Sequence, residues 1–225
     1  MRNEIWLVLP IVNEQTSRKH LPAWKDAGYK IAALQDRIRF DLDFVDRMAQ
    51  PWPDYAGYGA SVNYLINHVV PKDVGLVVAA GEDMRPDPKH TIKEIIEKFF
   101  DRFEDGMGIM QPIGDDLPGT DRICGSPFIG RRFAARWNHG LGTFWPGYNH
   151  YYADEELFET TKKNGLLFQD GSMTHYHDHW TRHISAEKQP HHSILQERWD
   201  HDKALFLFRS AANFPGHQPL NQNIY

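Results

Sequence analysis

The chain has 225 residues, of which 41% are hydrophobic, 13% aromatic and 24% charged, a balance that describes an ordered globule and excludes disordered, collagenous and coiled-coil chains. Its 25 basic and 30 acidic residues leave a net charge of -5, which argues against a uniformly basic nucleic-acid-binding surface and leaves room for a local basic groove. The longest apolar runs, such as Leu76 to Ala80, are far too short to cross a bilayer, mean hydropathy is -0.59, and the single cysteine, Cys124, cannot form an internal disulfide.

Met1-Arg2-Asn3-Glu4 passes directly into an apolar segment with no signal-peptide core, so a cytosolic protein with no membrane contact is expected. Repeats, low-complexity tracts and Gly/Ser linkers are lacking, which predicts one domain over 1–225. Ile5 to Val12 is a continuous apolar run that suits a strand buried on both faces of a covered parallel sheet. Thr16 to Ala27 reads as a helix stopped by Gly28, with a late start at Pro22 as an alternative, and Lys30 to Gln35 as a second strand. A β-α-β opening predicts a right-handed crossover and places Asn13 and Asp36 on one rim of the sheet, where open α/β sheets bind ligands.

Gly59 to Val70 has helical spacing, and Val74 to Ala80 is the strongest buried strand, running into Gly81-Glu82-Asp83. Pro86 and Pro88 lead into a helix from Thr91 to Phe103. Beyond it, Met107 to Pro112 and Ser126 to Gly130 read as strands, Phe133 to Trp137 and Asp154 to Lys163 as helices, and Leu166 to Gln169 and Ser172 to His179 as strands. Ser185 to Ser210 is partly helical. The fold class is α/β, with a mixed, mainly parallel sheet flanked by helices.

Four constellations carry chemistry. Glu82 and Asp83, at the end of a buried strand, are suited to holding Mg²⁺ or Mn²⁺ against phosphate oxygens, or are a solvated turn before a helix. The chain has 13 histidines, eight of them from His175 onward, and in His175-Tyr176-His177-Asp178-His179 strand alternation would project all three imidazoles from one face. One of them would complete a carboxylate site, three would suit zinc, and an exposed His-rich edge is the plain alternative. Asp154 and Glu155, at a helix start, are candidates for a general base or ordinary helix-terminal acids. Ser126, Trp145 and Tyr148 lie in loop-rich segments whose rings would stack on a sugar or base, or fill the core. Nothing near Cys124 in the sequence indicates the depressed pKa of a catalytic thiolate.

In this order the segments resemble the GT-A glycosyltransferases, most closely the family 2-like group that uses nucleotide-diphosphate sugars. The resemblance covers most of the first 180 residues. Leu9-Pro10-Ile11-Val12-Asn13-Glu14 looks like that family's first strand and nucleotide loop, Asp36 stands where an acid contacts the nucleobase, and Gly57 to Asn63 looks like its Gly-rich helix start. The resemblance therefore implies donor contacts from Pro10, Val12, Asn13, Glu14, Asp36, Gly59, Asn63 and Glu82. Asp83 falls on the last aspartate of the Asp-x-Asp motif, although Gly81 and Glu82 stand where aspartates are frequent. His175 corresponds to the late metal-binding histidine, with His177 as its rival, and Asp154 aligns with the base, with Glu155 as the fallback.

The fold so implied is GT-A-like: residues 1–105 bind the nucleotide-sugar, 106–183 form the acceptor and catalytic half, and 184–225 are a helical extension. The implied reaction is metal-dependent transfer from a nucleotide-diphosphate sugar, foremost a UDP-sugar, with Mn²⁺ or Mg²⁺, inverting if attack is direct and retaining if it passes through a covalent enzyme intermediate. A small chain of this kind is similar to bacteriophage-type enzymes that glycosylate hydroxymethylated bases in DNA. That acceptor would need Arg131, Arg132, Arg136 and Arg182 as phosphate contacts. Two other readings compete: a zinc hydrolase on the histidine strand, and a catalytically silent sugar- or nucleic-acid-binding module of the same fold.

Overall fold

The computed structural model describes residues 2–35, 39–114, 119–178 and 191–217, with backbone only for Arg2 and 191–197. Strand β1 (Arg2–Ile11) occupies the centre because its side chains are apolar on both faces. Ile5, Leu7, Leu9 and Ile11 enter one core with Leu21, Trp24, Ile95 and Phe99, while Trp6 and Val8 enter the other with Val62, Leu65, Phe133 and Leu157. Each such aliphatic side chain contributes roughly 1.5–3 kcal/mol by leaving water.

Helix α1 (Glu14–Asp26) begins at Asn13, whose Oδ1 accepts from Thr16 N at 3.0 Å, and it carries Pro22 in its interior. It leads to β2 (Lys30–Gln35), which pairs parallel with β1, and the short edge strand β3 (Arg47–Ala49) pairs parallel with β2. Helix α2 (Tyr58–Tyr64) widens into a π-helical turn over Leu65–Val69 before Pro71. β4 (Val74–Ala79) then pairs parallel with β1 on its other side.

After β5 (Met84–Arg85) and α3 (Ile92–Arg102), β6 (Ile109–Pro112) lies parallel to β8 (Leu167–Asp170) and antiparallel to β7 (Phe128–Gly130). β7 is antiparallel to β4 as well, completing the order β3-β2-β1-β4-β7-β6-β8. α4 (Arg131–Arg136) follows β7, and α5 (Ala153–Lys163) precedes β8. β9 (Tyr176–His177) pairs with β5 as a separate two-stranded ribbon, and α6 (His191–Ala211) comes last among the described helices. Among the described residues no helix is long and apolar enough to cross a membrane.

Strand direction decides what meets at the rim where β1 and β4 end. β1 and β4 end side by side, so Asn13 and the Gly81 to Asp83 turn share it. Because β7 runs the other way, pairing Phe128 with Val78 and Gly130 with Leu76, Ser126 enters at this rim and Arg131 leaves at the opposite one. Arg132 accordingly pairs with Asp105, ahead of β6.

The segment 142–148, between α4 and α5, is tied to α2 by Asn63. Its amide donates to Phe144 O at 2.7 Å and accepts from Phe144 N at 3.1 Å. Gly142, at φ +122°, lies so close that a Cβ would sit 2.4 Å from Asn63 Cγ. Asn63→Ala would leave two buried backbone groups unsatisfied, and we expect a loss of about 2–4 kcal/mol in denaturant unfolding.

Candidate active site

The turn after β4 holds two carboxylates with different surroundings. One oxygen of Glu82 accepts from Val12 N at 3.0 Å, Asn13 N at 3.1 Å and Ser17 Oγ at 3.0 Å, so it ties β1 and α1 to β4. Burial pushes the Glu82 carboxyl up to about 7, against the lowering effect of these donors and with a further push from the Asp83 charge. Asp83 lies at the β5–β9 ribbon. Its Oδ1 is 3.2 Å from His177 Nε2, and its carbonyl accepts from Asp178 N at 2.9 Å.

Two donors about 3 Å apart match neighbouring positions on an octahedral ion with bonds of about 2.1 Å. The residues therefore fit a hard divalent cation: Asp83 and His177 would hold it, and phosphate and water oxygens would complete its shell. Among the described residues no three His, Cys, Asp or Glu side chains converge as an all-protein site would require.

His175 is placed differently. Its ring is 5% exposed, packs 5.2 Å from both the Trp24 and Phe128 rings, and turns Nδ1 to Ser126 Oγ at 3.0 Å and Ser126 O at 3.1 Å. Burial lowers its pKa to about 4, so the ring is neutral, and Nε2 has no hydrogen-bond partner. The expected common face for the histidines does not form, because β9 spans only Tyr176 and His177 and strand alternation stops short of His175. His179 lies outside the described residues. The His175–His177 convergence that a zinc centre needs is likewise not seen.

The acids at the start of α5 diverge in role. Asp154 and Glu155 share a side-chain hydrogen bond. Burial and the Asp154 charge raise the Glu155 carboxyl to about 8, and burial raises Asp154 as well, so the pair retains a proton near neutral pH. Glu156 instead is buried and ionised: Arg209 Nε and Nη2 each donate to it at 2.8 Å, Tyr148 donates from its hydroxyl at 2.6 Å, and His217 Nε2 is 3.1 Å away. Because α5 leads down to β8, which parallels β6 and therefore β4, its first turn stands at the same rim as Asp83.

The remaining expected contacts divide. At the end of β1 the Val12 and Asn13 amides are engaged by Glu82, the Asn13 side chain caps α1, Glu14 pairs with Arg18 at 2.9 Å, and Pro10 stands opposite Leu34 within the sheet. Gly59 is buried against Phe144, and both ends of the Asn63 amide are taken up by Phe144. Asp36 and Arg182 lie outside the described residues. Ser126 is buried beneath His175, and the Trp145 ring is covered by the Arg209 guanidinium, 3.6 Å from its centroid.

The antiparallel course of β7 carries Arg131 and Arg132 to the rim opposite Asp83 and Asp154. Cys124 is fully buried, its amide donates to Asp154 O at 3.1 Å, and burial raises its thiol well above the ordinary value, so it is no nucleophile. Sequence reading missed Glu156, Asp202 and Arg209, which look like ordinary surface charges in a helical pattern.

No protein-family model matches the sequence, and no curated protein is similar to it in sequence. Solved structures are similar in fold. A Drosophila β-1,4-galactosyltransferase 7 variant in complex with manganese, UDP-galactose and xylobiose superposes with a TM-score of 0.50 at 12% identity, over 87% of this chain and 80% of that one. A Bacillus anthracis protein described as a glucose-1-phosphate thymidylyltransferase, in complex with sucrose, gives 0.46 at 9% identity, over 90% and 94%. The chain thus has a GT-A-like α/β fold.

The raised Glu82 carboxyl yields a prediction. Between its unfolded value of 4.5 and its folded value of about 7 the native state holds the extra proton, so this group's contribution to stability falls as pH rises through that window. Glu82→Gln keeps an accepting oxygen and cannot ionise. Its melting temperature relative to the parent is expected to climb between pH 5.5 and pH 8 in thermal scans, and a pH-independent difference would contradict the assignment.

Proposed function

We propose that the chain is a metal-dependent glycosyltransferase that moves a sugar, with inversion, from a nucleotide-diphosphate donor to an acceptor hydroxyl. One observation carries this reading: the Asp83–His177 pair and the proton-sharing Asp154–Glu155 pair stand on one rim of a GT-A-like sheet. The galactosyltransferase neighbour, in complex with manganese and UDP-galactose, supports a Mn²⁺ or Mg²⁺ ion and a UDP-sugar as the first donor to test. Asp83 and His177 would hold the ion, which when bound neutralises charge developing on the diphosphate.

The rest of the chemistry belongs to the chain. The ionised Asp154–Glu155 pair accepts the proton of the attacking hydroxyl, whose oxygen bonds to the anomeric carbon as the bond from that carbon to the phosphate oxygen breaks. The nucleoside diphosphate leaves with the bonding electrons. Glu82 fixes the distance between the first loop and the Asp83 turn by gathering donors from both β1 and α1. A DNA acceptor draws no support from Arg131 and Arg132, and the proposal is limited to a hydroxyl-bearing acceptor.

Asp83→Ala is expected to weaken Mn²⁺-dependent UDP binding at least tenfold in calorimetry. Asp154→Asn should leave that binding within about twofold and lower UDP release about 100-fold or more, the usual range for losing a general base. A fully active Asp154→Asn protein would refute the base assignment. Since only the ionised pair accepts a proton, turnover should rise with pH until it levels off above about 8, the value to which Glu155 is raised. A rate independent of pH between 6 and 9 would contradict the role of the pair.

A further inference from the structure

The residue before α5 has an unusual backbone. Tyr152, the N-cap of that helix, lies at φ 65° and ψ -6°, in the left-handed region that costs a non-glycine residue about 1 kcal/mol or more. Such a conformation persists where surroundings over-determine it, and here they come from α6. Asp202, 0% exposed, accepts from the three successive amides that precede Tyr152: Asn149 N at 2.9 Å, His150 N at 2.7 Å and Tyr151 N at 2.8 Å. His201 Nδ1 is a further partner at 2.9 Å. Burial alone would raise the Asp202 carboxyl, but these donors hold it below the ordinary value, so a full negative charge sits in a nest of amide hydrogens. The Tyr152 ring is packed between Trp199 and Phe206 of the same helix, at 5.2 and 5.1 Å.

Two turns further along α6, on the same face, Arg209 holds Glu156. α6 thus grips the chain just before and just after Asp154 and Glu155. We propose that Asp202 is a positioning residue for the Asp154–Glu155 pair, fixing the left-handed turn at Tyr152 from which the first turn of α5 projects both carboxyls. The inference rests on the reading of that pair as the base. Among the described residues, Tyr58 from α2, Cys124 from the segment before β7 and Tyr152 itself are titratable groups that feel the charge of the pair. All three are neutral at working pH, so none of these three supplies a positive charge that would hold the pair in place.

Asp202→Ala and Asp202→Asn test this, the second keeping one accepting oxygen and serving alone should the alanine variant not fold. Turnover is read as UDP release from UDP-galactose with Mn²⁺, and donor-side integrity as the affinity for UDP with Mn²⁺. We expect turnover per folded molecule to fall at least tenfold in Asp202→Ala and less in Asp202→Asn, with UDP affinity within twofold of the parent. Carbon-detected NMR titration should show the Glu155 carboxyl, near 8 in the parent, moving toward its ordinary value as the pair separates.

Unchanged turnover and an unchanged titration in a folded variant would overturn the proposal. So would parallel loss of turnover and UDP affinity, which is the signature of a merely structural residue. If the parent releases no UDP from any nucleotide-sugar, the glycosyltransferase reading fails, while the Glu155 titration in the parent and the Asp202 variants still decides whether Asp202 positions the pair.

Discussion

A carboxylate removed from water must be neutralised, share a proton or collect donors, and this chain meets that constraint in each of these ways around one rim. Glu156 and Asp202 are matched by a guanidinium and by backbone amides and remain charged. Asp154 and Glu155 have each other and backbone amides of their own turn, which do not offset their burial, and the pair keeps a proton. Glu82 is intermediate, with three donors on one oxygen and a carboxyl that still rises to about 7. The fully matched groups are built into the scaffold. The incompletely matched ones change charge near neutral pH, which is where proton-transfer chemistry needs them.

The scaffold and the site are therefore one electrostatic arrangement. β1 and β4 bring the Glu82 turn against the first loop, and the antiparallel β7 admits Ser126 and His175 beneath the rim while sending its arginines away. The ribbon of β5 and β9 places His177 on Asp83. A small strand pair with little burial of its own thus decides which of two histidines two positions apart meets the acid.

Much of this architecture was legible because burial on both faces writes itself as unbroken apolar runs. β1, β2 and β4 are found within a few residues of their expected bounds, and so are α3 and α5. β3 and β5 carry too few apolar residues to announce a strand, and the eight-residue strand expected over 172–179 shrinks, among the described residues, to the two residues of β9. That shortening is why His175 and His177 part company. Direction was also hidden: a three-residue strand reads the same parallel or antiparallel, and the sense of β7 decides the side on which Arg131 and Arg132 emerge. The inner face of α6 was opaque for another reason. It carries Asp202, Leu205, Phe206 and Arg209, and its two buried charges imitate a solvent-facing pattern.

The bond between Glu156 and Arg209 spans 53 positions of sequence, and Asp202 reaches back over a similar interval to Asn149. During synthesis the helix that begins at Ala153 leaves the ribosome well before either partner is made. At roughly 5–20 residues per second the delay is roughly 3–10 s. Throughout that interval the Glu156 charge has no guanidinium and the turn at Tyr152 has no clamp. The nascent chain can assemble its first sheet strands while the corner at the start of α5 stays open, and the corner closes late, when α6 docks.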